Sequence, residues 1–336
     1  MPEYPHSFQE GDLSYNKKLV QDTHYSQGIS SKDFLKLKEL GKGTFGVVYL
    51  VRCKKDKQLY ALKVIEKRLV HEKKAESSTQ AEREILRNIR SPFIVGLKYA
   101  FQTPVRLYLA MEYISGGQLF SHVQHSGNFT ESKAKFYAAE LVLALGALHR
   151  KDIAYRDLKP ENILMDKFGH VKLVDFGLSK LKMKGNKMTY SVVGTVEYMA
   201  PEILQGNGYT KACDWWALGI VLYEMVQGMN PYRNSEMGLR EKSLAVMEQD
   251  FIVNEHWSPE LRDILSKLLV REPRERLGGS MNDGYLELQR HPFFKSIDWQ
   301  ALAMQEVEPP FMPDFRKSNQ DSFNELDYSL VSICYL

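Results

Sequence analysis

The sequence predicts an α+β molecule of two unequal lobes, and three observations carry that expectation. Short β-branched and aromatic runs dominate residues 34–113. A glycine pair, Gly116-Gly117, then interrupts the chain. Beyond it the apolar residues recur at three- and four-residue steps, the spacing of helices.

Residues 1–33 are polar and without hydrophobic periodicity, so they read as a mobile leader. From Phe34, Leu35 and Leu37 alternate with Lys36 and Lys38, which predicts a half-buried strand. Gly41-Lys42-Gly43-Thr44-Phe45-Gly46 follows and runs straight into Val47-Val48-Tyr49-Leu50. In a dinucleotide-binding unit the same glycine spacing opens a helix, whereas β-branched and aromatic residues favour a strand. A strand-loop-strand cover for phosphates is therefore indicated, the alternative being a tight hairpin whose glycines supply positive φ.

The next strand, Leu59-Tyr60-Ala61-Leu62-Lys63-Val64-Ile65, embeds one lysine among apolar neighbours. A buried ammonium needs an anionic partner. Glu82, on a helix expected over residues 76–89, can supply one and a nucleotide phosphate another; the alternative is a lysine on the solvent face of an edge strand. Strands over 95–101 and 106–113 bring the count to five before the glycine pair. Backbone groups of Glu112 and Ile114, at a strand end beside the interlobe crevice, are placed to hydrogen-bond a flat heterocycle such as adenine.

Thr130 is positioned to cap a helix with apolar residues at Ala134, Tyr137, Ala138, Leu141, Leu145 and Leu148, the expected core helix of the second lobe. Tyr155-Arg156-Asp157-Leu158-Lys159-Pro160-Glu161-Asn162 comes next. A hairpin follows, Ile163-Leu164-Met165 against Val171-Lys172-Leu173-Val174, and ends in Asp175-Phe176-Gly177. A tight hairpin sets its ends side by side, so Asn162 and Asp175 are expected to face one point. An amide oxygen and a carboxylate there suit magnesium better than zinc or copper. Two acidic groups, an amide and a lysine together suit phosphoryl transfer.

Composition narrows the class. A chain of 336 residues, 43% apolar and 26% charged, can bury a large core. A net charge of +3 implies neither nucleic acid nor a membrane surface as partner. The three cysteines, Cys53, Cys213 and Cys334, form no CxxC pair and no disulfide framework, which points to a reducing compartment. The longest apolar runs, 141–148 and 218–226, are far shorter than the roughly 20 residues of a membrane span. No signal peptide is recognisable in residues 1–33.

Seven motifs in fixed order resemble the eukaryotic serine/threonine protein kinase family across residues 34–294. They are the glycine loop, Ala61-Leu62-Lys63, the stretch from Asp157 to Asn162, Asp175-Phe176-Gly177, Ala200-Pro201-Glu202, Asp214-Trp215-Trp216 and Arg276. The resemblance implies a bilobal kinase fold: a five-stranded antiparallel β lobe with one main helix over 34–111, a hinge over 112–117 and a larger helical lobe over 118–294. It further implies a C-terminal tail over 295–336 that would wrap back over the small lobe. It implies ATP and Mg2+ as cofactors. Gly41, Lys42, Gly43, Thr44, Phe45 and Gly46 would cover the phosphates, with Lys63, held by Glu82, gripping the α- and β-phosphates. Val48, Ala61, Met111, Glu112, Ile114, Gln118, Glu161 and Leu164 would contact the rest of the nucleotide. Asp157 would orient or accept the substrate hydroxyl's proton, Lys159 would neutralise the moving phosphoryl group, and Asn162 with Asp175 would hold the metal. Glu202 would pair with Arg276 to brace the peptide platform, and Asp214 would serve structurally.

Tyr155, where most kinases carry histidine, and Pro309-Pro310-Phe311-Met312-Pro313 resemble the AGC group, most closely its protein kinase B and ribosomal-protein kinase branch. Phe323 resembles the tail aromatic that reaches the adenine pocket. Only thirteen residues follow it, so the tail is expected to be truncated, with at best a degenerate hydrophobic motif at its end. Ser191 aligns with the activation-loop phosphosite, where a phosphate would meet Arg156, otherwise unpaired, and Lys180. Glu161, Glu224 and Thr195 fall at substrate-contact positions, implying basic residues before the target hydroxyl. Gln118 replaces a usual glutamate and should weaken selection for an upstream arginine. The expected partners are basic-context protein substrates and an upstream activating kinase, with no nucleic acid and no transmembrane segment. A monomer is expected, in the cytoplasm with the nucleus open. The alternative is a catalytically weak pseudokinase scaffold that binds nucleotide; such a scaffold normally lacks one of Lys63, Asp157, Asn162 or Asp175, and all four are present.

Overall fold

A computed structural model describes residues 28–232, 236–279 and 284–312. Its first lobe is a five-stranded antiparallel sheet in the order β1-β2-β3-β5-β4. The strands are β1 (Phe34–Lys42), β2 (Gly46–Cys53), β3 (Leu59–Glu66), β4 (Leu97–Gln102) and β5 (Arg106–Glu112). Between β3 and β4 lie α1 (Lys67–Glu72) and α2 (Glu76–Asn88). The lobe thus has a short helix beside its expected main one. Strands β4 and β5 are trimmed relative to the sequence reading, since the chain at 95 and 96 pairs by single bonds and not in a ladder: Val95 N–H donates to Leu173 O and Gly96 O accepts from Glu112 N.

The two faces of this sheet bury different residues. One joins the main core through Val48, Ala61, Ile65, Leu109 and Met111. The other carries an aromatic layer of Phe34, Tyr60, Tyr99, Phe101 and Tyr108, with Phe101 stacked on Tyr108 at 4.8 Å. Asp56 accepts from the hydroxyls of Tyr60 at 2.6 Å and Tyr99 at 3.1 Å, which satisfies those two polar tips of the layer. β1 is a strand as its alternation predicts, but Leu35 and Leu37 are exposed and not buried. It is the edge strand, with a neighbour on one side only, and its Lys36 ammonium lies over the Tyr49 ring instead. Residues 31–33 of the expected leader form a turn of 3-10 helix, tied to the β2–β3 turn by Lys54 donating to Lys32 O.

The second lobe is helical, with one two-stranded hairpin of β6 (Ile163–Met165) and β7 (Val171–Leu173). Its described helices are α3 (Leu119–Ser126), α4 (Glu131–His149), α5 (Pro201–Leu204), α6 (Cys213–Gln227), α7 (Leu239–Glu248), α8 (Pro259–Leu268), α9 (Gly284–Arg290) and α10 (Trp299–Ala303). Thr130 caps α4 by accepting from Lys133 N. α4 and α6 are apolar nearly all round, the pattern of helices enclosed on every side, and every residue of α6 from 213 to 226 is buried. Glu140, buried within α4, accepts from His170 and from Val171 N–H, which fastens the hairpin to the core helix.

Glu202 and Arg276 meet in a buried, two-pronged ion pair, at 2.8 and 2.9 Å. The guanidinium also donates to Ala212 O and Val270 O and lies 5.3 Å from the Trp216 ring centre. Breaking one side of such a pair leaves a charge buried without its partner. Glu202→Ala is expected to cost about 3–5 kcal/mol of unfolding free energy, read from urea unfolding; a loss below about 1 kcal/mol would contradict the buried pairing.

Candidate active site

The site forms where the two lobes face each other. On the upper side Lys63 projects from β3 and donates to Glu82 Oε1 of α2 at 2.7 Å. It also reaches Asp175 Oδ1 at 3.3 Å. Burial alone would push the Lys63 ammonium down, but the carboxylates of Asp175 and Glu82 outweigh it and hold the group above its ordinary value. The lysine is therefore cationic and oriented. The solvent-facing alternative for Lys63 is excluded, because it is only 9% exposed.

The glycine-rich segment leads into the strand beside this lysine, where Val48 pairs with Lys63 and Val47 with Val64 across β2 and β3. None of Gly41, Gly43 and Gly46 has positive φ, so the hairpin alternative does not account for them. Gly46 answers to crowding: a β-carbon there would lie 1.8 Å from Val64 O. Lys42 and Thr44 at the tip are exposed, while Phe45 is half-buried and its carbonyl accepts from Glu66 N.

Behind the loop, Val48, Ala61, Met111 and Leu164 are buried and apolar, with Ala61 opposite Met111 in the β3–β5 register. Ile114 follows at the hinge, and Gln118 bridges to Leu164. The Glu112 N–H is committed to Gly96 O, so a heterocycle bond from Glu112 falls to its carbonyl. The hinge is pinned to the hairpin by Gly116 N–H donating to Met165 O and Met165 N–H to Gly117 O. This approach leaves no room for a side chain at Gly116, where a β-carbon would lie 2.5 Å from Met165 O.

On the lower side the loop carrying Asp157 is held from beneath. Asp214 of α6, 1% exposed, accepts from Tyr155 N–H at 2.9 Å, Arg156 N–H at 2.8 Å and His149 Nε2 at 2.7 Å. Arg156 is thereby kept at φ +70°, in the left-handed region that non-glycine residues rarely adopt. Asn162 donates to both the carbonyl and Oδ2 of Asp157, each at 2.8 Å, and Lys159 Nζ lies 3.1 Å from Oδ2. The other carboxylate oxygen, Asp157 Oδ1, is buried without a partner among the described residues. Burial pushes the Asp157 carboxyl up to about 6; Lys159 opposes this and Asp175 adds to it.

The hairpin sets its two ends side by side, with Val174 N–H donating to Asn162 O, so Asn162 and Asp175 leave it from adjacent positions. Asp175 sits at φ +52° and accepts from Gly177 N–H. The Tyr155 hydroxyl donates to Val174 O, and its ring packs edge-on against Phe176 at 5.4 Å. A carboxylate and an amide oxygen are hard donors that fit magnesium, which keeps several waters and shares substrate phosphates. Among the described residues there is no cluster of three His, Cys, Asp or Glu side chains of the kind that encloses a metal.

Around the activation segment one expectation is corrected. Arg156 is not unpaired: Nε donates to Leu178 O, and Nη1 donates to Ser191 Oγ at 2.8 Å and to the Tyr209 hydroxyl at 2.9 Å. Lys180 is tied by its backbone to Ala154 in both directions, and Tyr209 is a further neighbour of Ser191 that the sequence reading missed. A tyrosine eighteen residues from Ser191 gives no local signal; the bridge between Thr189 and Tyr209 creates the contact. Lys159 donates to Thr195 Oγ1 at 3.3 Å. Glu161 keeps one buried oxygen without a partner among the described residues, whereas Glu224 is buried and accepts from the Tyr198 hydroxyl at 2.6 Å. Phe323 and the end of the tail lie outside the described residues.

Two lobes joined at a pinned hinge, an ion-paired lysine above and an Asp-Lys-Asn constellation below define a protein kinase. The family model for the protein kinase domain matches residues 34–294, and the chain belongs to that family. Its relatives place it with the AGC-type serine/threonine kinases. It is 46% identical over 296 residues to serine/threonine-protein kinase YPK2/YKR2 of Saccharomyces cerevisiae, covering 88% of this chain and 43% of the relative. The RAC serine/threonine-protein kinase of Drosophila melanogaster is 40% identical over 327 residues, 96% of this chain and 53% of the relative. Serine/threonine-protein kinase AtPK1/AtPK6 of Arabidopsis thaliana is 44% identical over 309 residues, 91% and 65% respectively. The chain spans about half the length of the curated relatives it matches.

Gly46→Ala tests the glycine loop's packing. Because the clash is with backbone, β2 must move away from β3, and the expected cost is about 1–3 kcal/mol in stability together with weaker nucleotide binding by titration calorimetry. Unchanged stability and affinity would mean that the strands separate without cost.

Proposed function

We propose that the chain is an ATP-dependent serine/threonine protein kinase that transfers the γ-phosphoryl group of ATP to hydroxyls in basic-context protein substrates. The observation that carries this reading is the convergence on Asp157: Lys159 and Asn162 bonded to one carboxylate oxygen, the other buried without a partner among the described residues. An orphan buried acceptor is costly and calls for a donor, and a substrate hydroxyl is such a donor.

In this reading Lys63, oriented by Glu82, binds the α- and β-phosphates, and the segment from Gly41 to Gly46 excludes water above them. Asp157 Oδ1 accepts the hydroxyl's hydrogen bond, which aligns the nucleophile and takes its proton late in the transfer. Lys159 offsets the charge that develops on the moving phosphoryl group. Asn162 and Asp175 would hold magnesium, which when bound neutralises the phosphate oxygens. The free Glu161 oxygen is the group best suited to a basic residue of the substrate. Glu224, whose Oε2 accepts from the Tyr198 hydroxyl, keeps acceptor capacity for a second basic residue. Gln118, lacking a carboxylate, supplies less for an upstream arginine. An upstream kinase would act at Ser191. All groups of the site come from one chain, so a monomer suffices. A cytoplasmic setting, with access to the nucleus, agrees with the free buried cysteines Cys53 and Cys213.

Turnover of an arginine-containing peptide, compared with Asp157→Ala, tests the assignment. The variant is expected to lose at least about 10²-fold in kcat while still binding ATP, and equal rates would overturn the reading. The Asp157 carboxyl is protonated below about pH 6 and then cannot accept the proton. The kcat/KM for peptide should therefore fall as pH drops through about 6, and an acid limb displaced to the ordinary carboxylate range near 4 would contradict it.

A further inference from the structure

Tyr209 is 2% exposed, and its hydroxyl occupies the junction between the activation segment and the loop of Asp157. It accepts from Arg156 Nη1 at 2.9 Å, donates to the carbonyl of Ser191 at 2.7 Å and lies 3.4 Å from Ser191 Oγ. Its backbone makes a two-way bridge with Thr189: Thr189 N–H donates to Tyr209 O at 3.0 Å and Tyr209 N–H to Thr189 O at 2.9 Å. The neighbouring Gly208, at φ +79°, leaves space filled by the Tyr190 ring, which a β-carbon would meet at 2.6 Å. Arg156 completes the arrangement through Leu178 O and Ser191 Oγ. The Nε and Nη1 donors of the guanidinium beside Asp157 thus meet neutral acceptors. Residues 189–191 are held by the Thr189 bridge, by Arg156 and by the Tyr209 hydroxyl.

We infer that Tyr209 is a positioning residue that holds the activation segment over Arg156 while Ser191 is unphosphorylated, giving the kinase a basal active arrangement that phosphorylation then reinforces. The inference deepens the proposed kinase reading and its assignment of Ser191. The chemistry is a division of labour. Before modification, Arg156 bonds to two neutral hydroxyls, each contributing modestly. After transfer of a phosphoryl group from ATP to Ser191 Oγ, with ADP released and the serine proton lost, Arg156 faces anionic oxygens. Charge-assisted bonds of that kind are about twice as strong as neutral ones. The hydroxyl of Tyr209 then becomes largely redundant, so its importance should depend on the state of Ser191. A residue that merely supported the fold would matter equally in both states.

The experiment compares the full chain and Tyr209→Phe, which keeps the ring and removes the hydroxyl. Each is prepared with serine at 191 and with phosphoserine introduced there during translation. Peptide turnover and amide hydrogen exchange over residues 189–193 are measured for all four. The variant is expected to lose about tenfold in turnover with serine at 191, since an arginine donor and a carbonyl are left unpaired, and to lose less than about twofold with phosphoserine. Exchange over 189–193 should accelerate only in the unphosphorylated variant. Equal losses in both states, or no loss in the unphosphorylated state, would overturn the inference. If phosphoserine leaves the wild-type rate unchanged, the assignment of Ser191 fails, while the unphosphorylated pair still decides the role of Tyr209. If neither wild-type form turns over peptide, the kinase reading itself fails, and the exchange rates alone test the anchoring.

Discussion

The buried carboxylate of Asp214 is the constraint on which the active site depends. It sits in the first turn of α6, a helix buried from Cys213 to Val226, and accepts the backbone N–H groups of two consecutive loop residues, Tyr155 and Arg156. Those bonds hold Arg156 in a left-handed conformation that it would not otherwise choose. Asp157 follows directly, so the orientation of its carboxylate derives from a bond made beneath it by a residue far along the chain. His149 at the end of α4 closes the same carboxylate from the other side, joining the two core helices to the loop. A helix packed on every side cannot shift without opening cavities, and this rigidity passes to the Asp157 loop.

The second constraint is the charge cluster between the lobes. Lys63 comes from the sheet, Glu82 from α2 and Asp175 from the end of the hairpin in the other lobe. One buried cation between two carboxylates costs desolvation energy that its hydrogen bonds offset only while all three stay in place. The cluster therefore reports whether sheet, helix and hairpin are in register. A nucleotide phosphate entering beside Lys63 would add anionic charge at the same point.

The hinge is constrained from a third direction. Gly116 O is bonded by His122 Nε2 of α3 at 2.8 Å, and the Phe311 ring of the C-terminal segment packs on His122 at 4.9 Å. The described part of the tail thus touches the residue that fixes the hinge carbonyl. This accounts for the Pro309-Pro310-Phe311 stretch in packing terms: proline limits the chain to an extended path and the aromatic ring supplies contact area.

Much of this was legible in the sequence because the signals are local. Glycine spacing before a β-branched run, a lysine among apolar residues and a short hairpin between Asn162 and Asp175 each constrain neighbours within a few positions. Helix α4 followed from its apolar periodicity and its threonine cap. Where the reading failed, the deciding contact was distant or two-sided. Leu35 and Leu37 alternate as a buried strand would, yet β1 became the edge, because strand order and not alternation sets which residues are covered. Arg156 looked unpaired because its acceptors, Leu178 O, Ser191 Oγ and the Tyr209 hydroxyl, come together only when the activation segment bridges back on itself. At Glu224 the hydrogen bond from the Tyr198 hydroxyl comes from another turn of chain and gives no local signal either. Chain-local chemistry determined which residues can carry phosphoryl transfer; tertiary packing decided which of them are already bonded, and to what.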